Sequence, residues 1–134
     1  MKHMKEKNMN SEYIYFTADK SAPYSDAVEA GGMLYLSGLV SENPVTREEL
    51  YGDITFETRT VLNNLAAFLQ QLGSDIDHVV RVEILLKNWA DKAAMNEEYV
   101  KHFKADHMPA RVCYGGVDIA GDCKIEIMVI AAKK

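Results

Sequence analysis

The sequence predicts an α+β fold, a single β-sheet with two helices packed on one of its faces. Three observations predict it. Residues 54–72 repeat apolar side chains at helical spacing, residues 79–86 alternate apolar with charged side chains, and two apolar runs follow a second helical stretch at the end of the chain. The order is therefore strands, helix, strand, helix, strands, which one sheet covered on one side accommodates.

The chain has 134 residues, 48% of them hydrophobic and 26% charged, which suits one soluble domain with one core. Residues 1–11 are polar and read as a flexible N-terminal tail ahead of a single domain over 12–134. Runs at 13–16 and 33–36 read as strands, and 27–30 pairs with the second of them across Gly31-Gly32. A loop over 41–52 carries Asn43-Pro44. Asp53 then caps a helix through Ile54, Thr58, Val61, Leu62, Leu65, Leu69 and Leu72, which Gly73 stops. Val80, Val82, Ile84 and Leu86 alternate with Arg81 and Glu83 as a half-buried strand does. Helical spacing returns over 90–104 through Ala93, Asn96, Tyr99, Val100 and Phe103, before Pro109. Strands over 111–118 and 124–131 close the chain.

In the last of these, Ile125, Ile127 and Val129 alternate with Glu126, Met128 and Ile130, so both faces of the strand are apolar. One face can lie under the helices. The other needs a second subunit to cover it, which predicts a homo-oligomer with Glu126 near the interface between copies.

Composition excludes several function classes. A net charge of −5 with no basic stripe gives no footprint for a phosphate backbone, so nucleic acid is not the expected partner. No apolar stretch is long enough to span a membrane. Residues 1–11 lack the apolar run of a signal peptide and include Glu6, so the expected location is cytoplasmic. Cys113 and Cys123 are expected as reduced thiols. His78, His102 and His107 form no ligand cluster with them, and no metal is expected.

Two charges stand out against apolar strands. Arg111 follows Pro109-Ala110 and offers a planar fork that fits a carboxylate, although an ordinary surface ion pair would account for it equally. Glu126 lies between Ile125 and Ile127, either at a sheet rim or as a buried general acid/base facing the hollow that Arg111 also faces. Cys113 shares the strand parity of Arg111 and sits about 7 Å along from it. No histidine is placed to activate it, so it reads as a neutral thiol lining a pocket. Tyr24, in a Pro23-Tyr24-Ser25 turn, and Asn96, inside a helix, have structural explanations when taken alone.

Taken together these pieces resemble the RidA family of reactive enamine/imine deaminases, also called the YjgF or L-PSP endoribonuclease family. The likeness runs from about Ala22 to Ala132. It includes Ala22-Pro23-Tyr24-Ser25, Leu36-Ser37-Gly38, Gly52-Asp53-Ile54, Val61-Leu62-Asn63-Asn64-Leu65, Ala94-Met95-Asn96-Glu97, Pro109-Ala110-Arg111 and Ile125-Glu126-Ile127. The resemblance implies a chorismate-mutase-like (ferredoxin-like) subunit, a homotrimer with clefts between subunits, and hydrolytic deamination of 2-enamino or 2-imino acids to 2-keto acids and ammonia without a cofactor. It implies that Arg111 grips the substrate carboxylate, that Glu126 handles the hydrolytic water, and that Tyr24, Ser37, Gly38, Asn96 and Cys113 line the pocket.

Other readings are an RNA-cleaving translation inhibitor and a module that binds small carboxylates without turnover. Chorismate-mutase chemistry would need more cations for a dianion than the sequence places. Leu39, Gly115-Gly116 and Ala120-Gly121-Asp122 depart from the family pattern, and their glycines are expected to alter the connection between the two site-bearing strands.

Overall fold

The structure, a computed structural model, describes the backbone of residues 4–7 and the whole of residues 12–134. The strands are β1 (Met4–Lys7), β2 (Tyr13–Thr17), β3 (Ala27–Ala30), β4 (Met33–Leu36), β5 (Leu39–Val40), β6 (Val79–Leu86), β7 (Ala110–Tyr114) and β8 (Ile125–Ala132), with α1 (Ile54–Gln71) and α2 (Lys92–Tyr99) between them. They form one sheet in the order β1-β2-β3-β4-β8-β6-β7, with β5 also pairing β8. All pairings are antiparallel except β6 with β7, the pair joined through α2.

The expected α+β layering holds. Val82, Ile84, Leu86, Ile125, Ile127, Val129 and Ala131 point to one face and join Val61, Leu62, Leu65, Phe68 and Leu69 of α1 and Met95 and Tyr99 of α2 in a single core. The other face carries Tyr35, Met128 and Ile130, and Tyr35 is 46% exposed. Asp53 caps α1 as expected, accepting from Phe56 N at 2.8 Å. At the far end Gly73 (φ 81°) follows the last turn. Ser74 N donates to Leu69 O and Gly73 N to Gln70 O, which together satisfy the carbonyls a helix leaves open.

Four boundaries differ from the sequence reading. Residues 4–7 pair with β2, while the rest of the expected tail, residues 1–3 and 8–11, lies outside the described residues. The two-residue β5 is too short to leave a periodic signal. The second helix is a short α-helix between 3-10 turns at Trp89–Asp91 and Val100–His102. It has no side-chain cap at Asp91, and it ends where Phe103 turns extended and lays its ring against Tyr99 at 4.7 Å. β7 stops at Tyr114 rather than running to 118, because Gly115-Gly116 follows and Gly116 takes φ 68°.

Glu57 ties α1 to the start of β8. Its carboxylate is fully buried and accepts from Lys124 N at 2.8 Å and Gly52 N at 3.2 Å, with Lys124 Nζ 3.5 Å away. Removing it leaves both backbone donors buried and unpaired. Glu57→Ala is therefore expected to lower stability by about 3 kcal/mol in denaturant unfolding, and a loss within experimental error would show that the tie is dispensable.

Candidate functional site

Register decides where the site residues point. Val82 of β6 lies opposite Val129 on one side and Arg111 on the other, and Ile84 lies opposite Ile127 and Cys113. Arg111 and Cys113 therefore share the helix-covered face, at the sheet edge. Leu85 lies opposite both Glu126 and Tyr114, so Glu126 projects from the other face. This corrects the expectation that one chain aims Arg111 and Glu126 into a common hollow. The alternation of a strand fixes each side chain's face, and the β6 register puts the two on opposite sides.

The predicted residues divide between the two sides of the sheet. On the helix side, the Arg111 guanidinium lies over the Tyr99 ring with its Cζ 4.8 Å from the centroid. Arg111 has no carboxylate partner among the described residues. Asn96, one turn before Tyr99 on α2, has a buried Oδ1 without a hydrogen bond, and the Tyr99 hydroxyl is likewise buried and unpartnered. Burial pushes the Cys113 thiol above its ordinary value even though Arg111 and Lys92 pull it down. That direction favours the neutral thiol over an activated nucleophile.

On the other side, Tyr24, Ser37, Gly38, Val40, Glu42, Arg47, Glu49, Ala120 and Glu126 line an open cleft of about 420 Å³. Ser37 is fixed by its hydroxyl, which donates to Ser25 O at 2.6 Å, and by its backbone N–H to Asp26 O at 3.0 Å. These bonds tie it to the turn that presents Tyr24, whose ring is 56% exposed at the cleft mouth. Gly38 leaves room for the Glu126 side chain. A β-carbon there would collide with Glu126 Oε2 and stand 2.8 Å from its Cδ, so the glutamate lies directly across bare backbone. Desolvation alone raises the Glu126 carboxyl above the ordinary glutamate value, with no opposing cation among the described residues.

The sequence reading missed Glu42, Arg47 and Glu49, which come from the irregular 41–52 loop. Arg47 Nε donates to Glu42 at 2.6 Å, and an Arg47 terminal nitrogen lies 3.8 Å from Asp26. Arg47 has φ 66°, in the left-handed region, stabilised by its N–H bond to Asn43 O at 2.8 Å. The Asn43-Pro44 turn signals the loop, but nothing in its sequence shows that its charges enter the cleft. The departures at 115 and 121 have steric reasons. A β-carbon on Gly115 would strike the Trp89 side chain, and one on Gly121 (φ 62°) would strike Glu49 Oε1. Both cysteines are free, and Cys123 is buried with its thiol pushed up to about 12 by desolvation and nearby Glu49. Among the described residues no cluster of three or more His, Cys, Asp or Glu could hold a metal, and no helix is long and apolar enough to cross a membrane.

Comparison with known proteins finds relatives over most of the chain. The family described as Endoribonuclease L-PSP matches residues 17–133. A RutC family protein of Pyrococcus horikoshii is 39% identical over 112 residues, covering 84% of this chain and 88% of that protein. The chloroplastic Reactive Intermediate Deaminase A of Arabidopsis thaliana is 36% identical over 81% of this chain and 58% of its own length. Among solved structures, a YjgF family member from Neisseria meningitidis superposes with a TM-score of 0.79 at 32% identity, over 91% of this chain and 95% of the other.

The contact between Gly38 and Glu126 is testable without any substrate. In Gly38→Ala the added methyl forces the carboxylate outward into water. Its titration by carboxyl carbon NMR is expected to move down toward the ordinary glutamate value, whereas wild type titrates above it. Superimposable titrations would remove the steric account of this position.

Proposed function

The chain belongs to the RidA/YjgF family, and on that footing we propose that it hydrolyses reactive 2-imino and 2-enamino acids to 2-keto acids and ammonia in a cleft shared by two subunits. The observation that carries this reading is the Arg111 guanidinium, held on an aromatic face and lacking a carboxylate among the described residues of its own chain. An arginine so placed is a ready receptor for a substrate carboxylate. The second half-site, with Glu126, Tyr24, Ser37 and Gly38, comes from a neighbouring copy.

The exposed sheet face supports that assembly. Tyr35, Arg81, Glu83, Met128 and Ile130 line an apolar groove there of about 190 Å³. We assign a homotrimer, in which these faces meet and each Arg111 edge comes up to the Glu126 cleft of the next subunit. The two free cysteines suit a reducing compartment, the cytoplasm in our assignment.

The chemistry needs little beyond positioning. The imine carbon is already electrophilic, and an enamine must first be protonated at its β-carbon to reach the same state. With the substrate carboxylate on Arg111 and the imine nitrogen protonated, Glu126 takes a proton from water as the oxygen bonds to the imine carbon, giving a neutral carbinolamine. Glu126 returns that proton to nitrogen, the C–N bond breaks with its electron pair leaving on ammonia, and the hydroxyl proton passes through Glu126 to the freed ammonia as the carbonyl forms, giving the 2-keto acid and ammonium. A carboxylate made more basic by desolvation is better matched to this exchange than one in water.

The endoribonuclease reading has weaker support, because the open cleft is lined by Glu42, Glu49 and Glu126 against Arg47 alone. Retention without turnover, as in a carboxylate sensor, leaves the raised Glu126 without a use.

Ammonia release from an imine generated in situ tests the reading. Arg111→Ala and Glu126→Gln are each expected to lower kcat/KM by about 100-fold or more. Randomly mixed oligomers of the two variants are expected to regain roughly a quarter of wild-type activity, since about one site in four then joins an intact Arg111 to an intact Glu126. Failure of mixing to restore anything would refute the shared cleft. Because Glu126 must be ionised to accept a proton from water, kcat/KM in wild type is expected to fall on the acid side of its pH profile, and Glu126→Gln to abolish that limb.

A further inference from the structure

Arg111 is not the only cation on its side of the sheet that lacks an acid. Lys92 opens α2 with its Nζ 4.4 Å from the centroid of the Trp89 ring, and it too has no carboxylate partner among the described residues. Lys92, Asn96 and Tyr99 follow at i, i+4 and i+7, a single stripe of the helix. Tyr99 meets Arg111 at one end of that stripe. At the other, Trp89 is packed against Gly115, two residues beyond Cys113, in space that only a glycine leaves open. The stripe thus runs alongside β7, with Asn96 and its unpartnered Oδ1 between two cations. Helical rise over seven residues separates Lys92 from Tyr99 by about 10 Å.

Aromatic faces hold a cation in place without consuming its charge, since the ring leaves the N–H donors free on the opposite side. Two cations presented in this way along one helix stripe beside β7 make a receptor for two anions. We propose that Lys92 binds a second carboxylate, so that the preferred substrates are 2-imino acids bearing a side-chain carboxylate, of the kind formed from acidic amino acids. This rests on the deaminase reading and adds to it the substrate class. It also supplies the second cation that sequence alone did not place.

The test compares imines released in situ by an amino-acid oxidase from glutamate and from norleucine, which has a neutral side chain of similar length. Wild type is expected to favour the glutamate-derived imine by about tenfold or more in kcat/KM, and Lys92→Gln to reduce that ratio by about tenfold. Acceleration of both imines with no preference, or with a ratio unchanged in Lys92→Gln, would overturn the dicarboxylate assignment and leave the deaminase reading intact. If neither imine is accelerated, the deaminase reading fails, and calorimetric binding of 2-oxoglutarate against 2-oxohexanoate decides the assignment on its own. Binding of the dicarboxylate about tenfold tighter, lost in Lys92→Gln, supports it, and equal binding rejects it.

Discussion

The register of β6 against its two neighbours is the constraint on which the site depends. Val82 and Ile84 align Arg111 and Cys113 of β7 with the buried face, and Leu85 aligns Glu126 of β8 with the open one. A shift of one residue in the β6–β8 pairing would turn Glu126 into the core and Ile125 and Ile127 out of it. The hydrophobic pattern of β8 therefore fixes the face of the glutamate as firmly as it fixes the sheet. A catalytic centre that uses both must be completed by another copy of the chain, and the apolar side of β8 gives such a copy a surface to cover.

Much of this was legible in the sequence because it rests on periodicity. α1 with its Asp53 cap and Gly73 stop, the alternating β6, and the two apolar faces of β8 all follow from spacing, and the structure has each of them. The pocket residues were legible in part. Tyr24, Ser37, Gly38 and Glu126 do gather around one cleft, and Arg111, Asn96 and Cys113 do lie along the α2–β7 edge. Their division into two groups was not legible, because it depends on which residue of β6 faces which residue of β7 and β8. Parity within one strand shows that Arg111 and Cys113 agree. It says nothing about Glu126 on another strand.

Irregular segments were the least readable. Arg47 reaches Glu42 through a backbone turn organised by Asn43, whose Oδ1 accepts from Val45 N and Thr46 N at 2.9 and 3.1 Å. No repeating pattern announces such a turn or the direction of its charges. The glycines at 115 and 121 illustrate the same limit. In sequence they suggest a slack connection, whereas in the fold each marks a close approach, to Trp89 and to Glu49 with Tyr51. Absence of a side chain reads as freedom until the neighbour that fills the space is known.

Keeping the two key charges on opposite faces has an electrostatic consequence. Had they shared a face, the guanidinium would have drawn the carboxylate into an ion pair, lowering its proton affinity and occupying the anion receptor at once. Separated, Arg111 rests on Tyr99 with its charge unspent, and Glu126 is shifted upward by desolvation alone. In the proposed trimer, where a neighbouring subunit brings them into one cleft, the carboxylate of an arriving substrate competes for the guanidinium and leaves Glu126 for the water. Cys113 gives the contrast. Two cations pull its thiol down, yet burial outweighs them, so proximity to positive charge does not make it a nucleophile. In the proposed cleft burial raises Glu42 as well as Glu126, but Arg47 is bonded to Glu42 at 2.6 Å, so the proposed chemistry is assigned to Glu126.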